Sequence, residues 1–179
     1  MDKNHKIKFV FTGCVGAGKT TAIATISEVV PISTEAKPTE DSVVRRKSST
    51  TVAMDYGELT LEDGEKIYLY GTPGQRRFDF MCHLLTKGAL GLIVLVDNTH
   101  PDPMGELDYF LNLNAAFLNQ GAAVIGVTHY DMSTKPSVDD YYQCLAERGD
   151  PWPVLHVDVR KSEDVNLLLN TLLTTLEYA

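Results

Sequence analysis

Short apolar runs alternate along the chain with stretches whose apolar residues recur every three or four positions. The runs IKFVF (7–11), KIYLY (66–70), LGLIVLV (90–96), AAVIGVT (122–128) and PVLHV (153–157) are too continuously apolar for strands with one wet face. They predict buried strands. TTAIATISEVV (20–30), GELDYFLNLNAAFLN (105–119), SVDDYYQCLAE (137–147) and SEDVNLLLNTLLTTLEY (162–178) carry helical spacing. Ser137 and Ser162 stand where N-caps belong, each with an acidic residue soon after. Between residues 51 and 71, two alternating segments flank Asp63-Gly64, a hairpin signal. That hairpin makes one strand antiparallel in an otherwise parallel sheet. The expected fold is a three-layer α/β domain with a mostly parallel six-stranded sheet and helices on both faces.

The stretch PISTEAKPTEDSVVRRKSST (31–50) breaks this rhythm. Two prolines and many Ser, Thr and charged residues predict an irregular segment, either functional or a plain surface insertion. The length of 179 residues, with 44% hydrophobic and 22% charged, reads as one globular domain over 1–179, expected to be a monomer. A formal net charge of -8 argues against nonspecific nucleic-acid binding but leaves room for a locally electropositive nucleotide site. Cys14, Cys82 and Cys144 are too few and too scattered for a disulfide framework or a zinc site. With no secretory leader, long apolar span or lipidation motif, the expectation is a cytoplasmic protein without an intrinsic membrane anchor.

FVFTGCVGAGKTTAI holds the strongest chemical signal. Gly13, Gly18, Lys19 and Thr20 match G-x-x-x-x-G-K-[ST], with a strand before and a helix after. Such a P-loop turns backbone N–H groups, here across Val15, Gly16 and Ala17, toward phosphate oxygens, and the helix start adds its positive dipole end. Lys19 is expected at the β- and γ-phosphates, the Thr20 hydroxyl on Mg²⁺, and Thr21 near the α-phosphate. Cys14 reads as a small filler of the loop, although its oxidation would interfere with nucleotide binding.

The motifs TTVAMDYG (50–57), GTPGQ (71–75) and LVDNT (95–99) follow in order. With them the chain resembles a Ras-like small GTPase over nearly its whole length, and is most similar to the bacterial MglA-like and signal-recognition-particle-receptor-β-like branch. The resemblance implies a regulatory GTPase that cycles between GTP and GDP as a switch in polarity, motility or signalling. It implies Thr51 capping Mg²⁺, Gly74 giving its N–H to the γ-phosphate, Gln75 orienting the attacking water, and moving segments at 39–55 and 71–81. It also implies protein effectors and a regulator, often of roadblock-type fold.

THYD (128–131) stands where the same resemblance expects N-K-x-D. Asp131 would accept from guanine N1–H and the 2-amino group; adenine offers neither and would leave the carboxylate unpaired. Thr128 replaces an asparagine that ties the base to the phosphate loop, and its hydroxyl recovers one bond. His129 replaces a lysine whose stem covers the base, and Val159 in HVDVRKSED is the expected backbone donor to guanine O6. Guanine is favoured, with weakened affinity.

Gly71 stands where the resemblance expects an aspartate that holds Mg²⁺ through water. Asp55 is the proposed replacement, although four extended residues separate it from Thr51 by roughly 13 Å. Asp97 competes for the role, and a solvent- or effector-facing Asp55 is the plain alternative. Arg76 and Arg77 offer an arginine finger in cis or, equally, surface partner contacts, while branched Val15 would crowd a finger supplied by another protein. Slow hydrolysis follows, with Gln75, Lys19 and the two arginines as the catalytic set. A scaffold that binds GTP without useful turnover is the second reading. A P-loop kinase is the third, and GTPGQ argues against it.

Overall fold

The computed structural model describes residues 7–33, 54–61 and 64–177. In chain order these form β1 (Ile7–Thr12), α1 (Lys19–Ile26), β2 (Ile32–Ser33), β3 (Asp55–Thr60), β4 (Lys66–Gly71) and a 3-10 turn (Arg76–Phe78). There follow α2 (Asp79–Thr86), β5 (Gly91–Asp97), α3 (Pro103–Leu113), α4 (Ala115–Leu118), β6 (Ala122–Thr128), α5 (Val138–Arg148), β7 (Val154–His156) and α6 (Ser162–Glu177). The strands make one sheet in the order β2-β3-β4-β1-β5-β6-β7. β1, β4, β5, β6 and β7 run parallel, and β3 pairs antiparallel with both β4 and β2.

Four of the five continuous apolar runs became interior strands, with helices on both faces of the sheet, while the run at 153–157 became the edge strand β7. β6 is buried at every position, and β5 at all but its last. Ile23 of α1 lies over Gly71, and Leu172 of α6 over Gly91, which places these two helices on one face. On the other face α3 joins its neighbours through polar side chains: Tyr109 donates to Asp79 of α2, and Arg148 of α5 binds Asp108 and Asn112. Right-handed crossovers require this division, since the chain leaves β1 toward β4 but later proceeds outward from β5 to β7. The three-layer fold with its antiparallel strand is the one expected, with a two-residue strand, β2, added at one edge.

Several elements depart from the sequence reading. β2 lies within the stretch expected to be irregular, pairing Ile32 with Tyr56. α1 ends at Ile26, and the helix expected over 105–119 breaks at Asn114, whose side-chain amide donates to the Phe110 carbonyl. α2 was not anticipated. It is only eight residues long, with Cys82, Leu85 and Thr86 buried along one side and Phe80 and Leu84 exposed. α5 begins at Ser137 with a reciprocal capping box to Asp140. Thr51, Asp63 and most of the segment 39–55 lie outside the described residues.

Candidate functional site

The carboxyl ends of β1, β4, β5, β6 and β7 deliver the phosphate loop, GTPGQ, Asp97, THYD and the 157–161 turn to one rim, where open parallel sheets place their ligands. α1 starts behind Gly18 with no side-chain cap, leaving its first-turn N–H groups to the loop side. Lys19 is buried and folds back over the loop, donating to the carbonyls of Gly13 at 2.7 Å and Cys14 at 2.6 Å. Burial also pushes the Cys14 thiol up, against nucleophilic reactivity. A cleft of about 270 Å³ opens here, lined by Gly18, Lys19, Thr20, Thr21, Asp55 and Gln75 among others. Val15 is on its rim and 65% exposed.

Gly74 lies flat against the phosphate loop. A Cβ there would stand 2.5 Å from the Val15 nitrogen and 2.7 Å from the Cys14 carbonyl carbon, distances no side chain tolerates. Glycine therefore lets GTPGQ rest on the loop, and the next residue, Gln75, is exposed and lines the same cleft.

Asp55 is 8% exposed and accepts a hydrogen bond from the Thr20 hydroxyl at 2.6 Å. It is therefore not the solvent-facing carboxylate of the plain alternative. In the antiparallel register Asp55 stands opposite Gly71, and a Cβ on Gly71 would lie 3.0 Å from both Asp55 Cβ and Oδ2. Asp97 is engaged elsewhere: it accepts from the Thr99 N–H at 2.9 Å and hydroxyl at 2.6 Å, with His129 Nδ1 at 3.0 Å. Burial works to raise its carboxyl, but the Thr99 bonds and the neighbouring imidazole outweigh that and hold it below the usual range. The Thr20 hydroxyl and the Asp55 carboxylate are hard oxygen donors of the kind Mg²⁺ takes alongside phosphates and water. No group of three His, Cys, Asp or Glu able to hold a metal unaided occurs among the described residues.

At the base end a cleft of about 590 Å³ is lined by Thr128, His129, Tyr130, Asp131, His156 and Val159 among others. The Thr128 hydroxyl reaches the Ala17 and Val96 carbonyls, both at 3.2 Å, and so joins the end of β6 to the phosphate loop. His129 adopts a left-handed backbone (φ 55) that accompanies its ring's contact with Asp97. Asp131 is largely exposed, with Arg160 Nη2 at 3.8 Å. Val159 packs on Gly18, and its carbonyl accepts from Thr25 at 2.8 Å.

Three side chains here escaped the sequence reading. Tyr130 stacks on His156 with ring centroids 3.6 Å apart, and burial lowers the His156 pKa, favouring the neutral ring. Arg160 binds Asp158 through Nε at 2.7 Å and Nη2 at 2.9 Å. Tyr130 sits inside THYD and was the one signal available; the stack itself joins the turn after β6 to the end of β7 and has no sequence trace. The two arginines after Gln75 are absent from the cleft lining: Arg76 binds Glu106 at 2.8 Å, and Arg77 lies over the Phe78 ring.

Comparison with known proteins corrects the family. The chain does not fall in a Ras-like or MglA-like GTPase family; residues 11–173 match a family model described as "Conserved hypothetical ATP binding protein". The roadblock-type regulator and the switch role in polarity or motility were implied by that resemblance and lose that basis. The chain is also 37% identical over 95 residues to "Uncharacterized protein MJ1339" of Methanocaldococcus jannaschii, an overlap of 53% of each chain. The chain thus matches about half the length of this relative. No helix among the described residues is long and apolar enough to cross a membrane. With its phosphate loop, the match across most of the sequence supports nucleotide binding, and the chain belongs to the family of conserved hypothetical ATP binding proteins.

Proposed function

We propose that this protein is a slow, Mg²⁺-dependent nucleoside triphosphate hydrolase that prefers GTP to ATP. The observation carrying the reading is the Thr20–Asp55 pair at the mouth of the phosphate loop, with Gln75 in the same cleft. Thr20 and Asp55 would hold Mg²⁺, which when bound neutralises charge on the phosphate oxygens. Lys19, freed from the Gly13 and Cys14 carbonyls, would meet the same phosphates, and Gln75 would orient water.

The family description names ATP, but the Asp131 carboxylate in the base cleft favours guanine. Guanine presents two donors to a carboxylate, whereas adenine presents an acceptor at N1 and would leave Asp131 unpaired. Competition of GTP and ATP for a fluorescent nucleotide, with Mg²⁺ or with chelator, tests the preference. Multiple-turnover phosphate release tests hydrolysis. Equal or better displacement by ATP would remove the guanine preference. A nucleotide-dependent scaffold without useful turnover is the second reading, favoured by the engagement of Arg76 with Glu106 away from the phosphates. Release no faster than the buffer blank would establish it.

A further inference from the structure

Gln75 sits between two anchors. On its N-terminal side Gly74 is pressed against the backbone of Cys14 and Val15, fixing where the chain meets the phosphate loop. On its C-terminal side the chain enters the 3-10 turn, closed by the Phe78 N–H donating to the Gln75 carbonyl at 2.9 Å. Arg76, the first residue of that turn, reaches across to α3, where its guanidinium binds Glu106 Oε1 at 2.8 Å and lies 4.0 Å from the centre of the Tyr109 ring. The Tyr109 hydroxyl donates to Asp79, the first residue of α2. The side chain of Glu106 is only 12% exposed, so losing Arg76 would leave a carboxylate largely out of water without its partner. A planar guanidinium held by a carboxylate and an aromatic face is fixed in direction as well as position.

We propose that Arg76 and Glu106, braced by Tyr109, form a clamp that positions Gln75 for hydrolysis. Arg76 is thus a positioning residue whose role is to hold its neighbour, and it need not reach the phosphates. The backbone of Gln75 is extended (φ -88, ψ 127), and rotation there would swing its side chain away from the cleft. Pinning the residues on both sides removes that freedom before the reaction begins, and small misplacements of a catalytic group are costly in rate.

This inference rests on the hydrolase reading, so its test has a second readout independent of turnover. Single-turnover hydrolysis, nucleotide affinity and amide hydrogen exchange over 74–79 are measured for the wild type, Glu106→Gln, Arg76→Ala and their double variant. Each single variant should lower the hydrolysis rate about tenfold or more, because the water-orienting group is misplaced. Nucleotide affinity should stay within about twofold, the mark of an interaction made in the transition state alone. The double variant should be no slower than either single one, and the charge-reversed pair Arg76→Glu with Glu106→Arg should recover part of the rate. Exchange over 74–79 should quicken in both single variants.

Additive losses, or unchanged rate and exchange, would overturn the clamp. So would faster hydrolysis in Glu106→Gln that vanishes when Arg76 is also removed, since Glu106 would then be withholding an arginine finger. If the wild type hydrolyses nothing, the hydrolase reading fails by itself. Unchanged exchange would still overturn the clamp in that case.

Discussion

The Thr20 hydroxyl donates to Asp55 at 2.6 Å, and Asp55 occupies space that a side chain on Gly71, its cross-strand partner, would need. The carboxylate beside the hydroxyl that follows the phosphate-loop lysine is thus supplied by β3, opposite a glycine of β4. Asp55→Asn should weaken Mg²⁺-dependent nucleotide binding about tenfold, the loss of about one charge-assisted hydrogen bond. Binding in chelator should be nearly unchanged. Titration of nucleotide affinity against Mg²⁺ checks this, and identical curves would remove Asp55 from the metal site.

Gly71→Ala should act on the same pair from the other strand. The added methyl would meet Asp55 at 3.0 Å and Ile23 Cδ1 at 3.1 Å. Overpacking of this kind destabilises by about 1–3 kcal/mol. A lowered thermal midpoint, together with reduced Mg²⁺ dependence, is the expected outcome; a midpoint equal to the wild type would mean that β3 yields freely.

On the proposed hydrolase reading, which confines Gln75 to the attacking water, Gln75→Ala should reduce turnover about tenfold or more while nucleotide affinity holds. Steady-state phosphate release beside equilibrium binding measures both. Unchanged turnover would strike Gln75 from the catalytic set.

Thr128→Val should cost roughly 1 kcal/mol, by deleting the hydroxyl that bonds to carbonyls of the phosphate loop and β5. Nucleotide release should quicken as the two halves of the cleft loosen. Chemical denaturation and stopped-flow release of a fluorescent nucleotide provide the check.

Arg160 and its backbone N–H hold the Asp158 carboxyl at about 2, below its ordinary 3.8. A depressed carboxyl stabilises the folded protein fully above its unfolded value, and that contribution fades as the pH falls toward the folded value. Asp158→Asn should therefore be less stable than the wild type at neutral pH, with the gap closing between about pH 4 and pH 2. Urea unfolding at a series of acidic pH values tests the sign; a gap that widens on acidification would contradict it.

The phosphate loop was legible because its chemistry is contiguous: strand, glycines, lysine and threonine lie within one short run, and local geometry follows from sequence. The tie from the Thr128 hydroxyl to the phosphate loop follows from local geometry in the same way, because β6 ends beside that loop. The meeting of Asp55 with Thr20 depended on the register of β3 against β4, which no single segment encodes. The Arg76–Glu106 contact joins residues thirty positions apart, from the 3-10 turn to α3, so the two arginines read only as charges beside a loop. The family misread has a related origin. Short motifs shared by P-loop folds govern phosphate chemistry, while membership of a family is written across the whole chain.

The placement of the Thr20-bonded carboxylate on β3 decides what its presence depends on. β4 is an interior strand, gripped by β1 on one side and β3 on the other. Among the described residues, β3 has β4 on one side and the two residues of β2 on the other. A slide of β3 by one residue would turn Asp55 to the opposite face, and a slide of two would carry it about 7 Å along the strand. Register alone therefore decides whether a carboxylate meets Thr20, and the observed pairing of β3 with β4 is one that presents it.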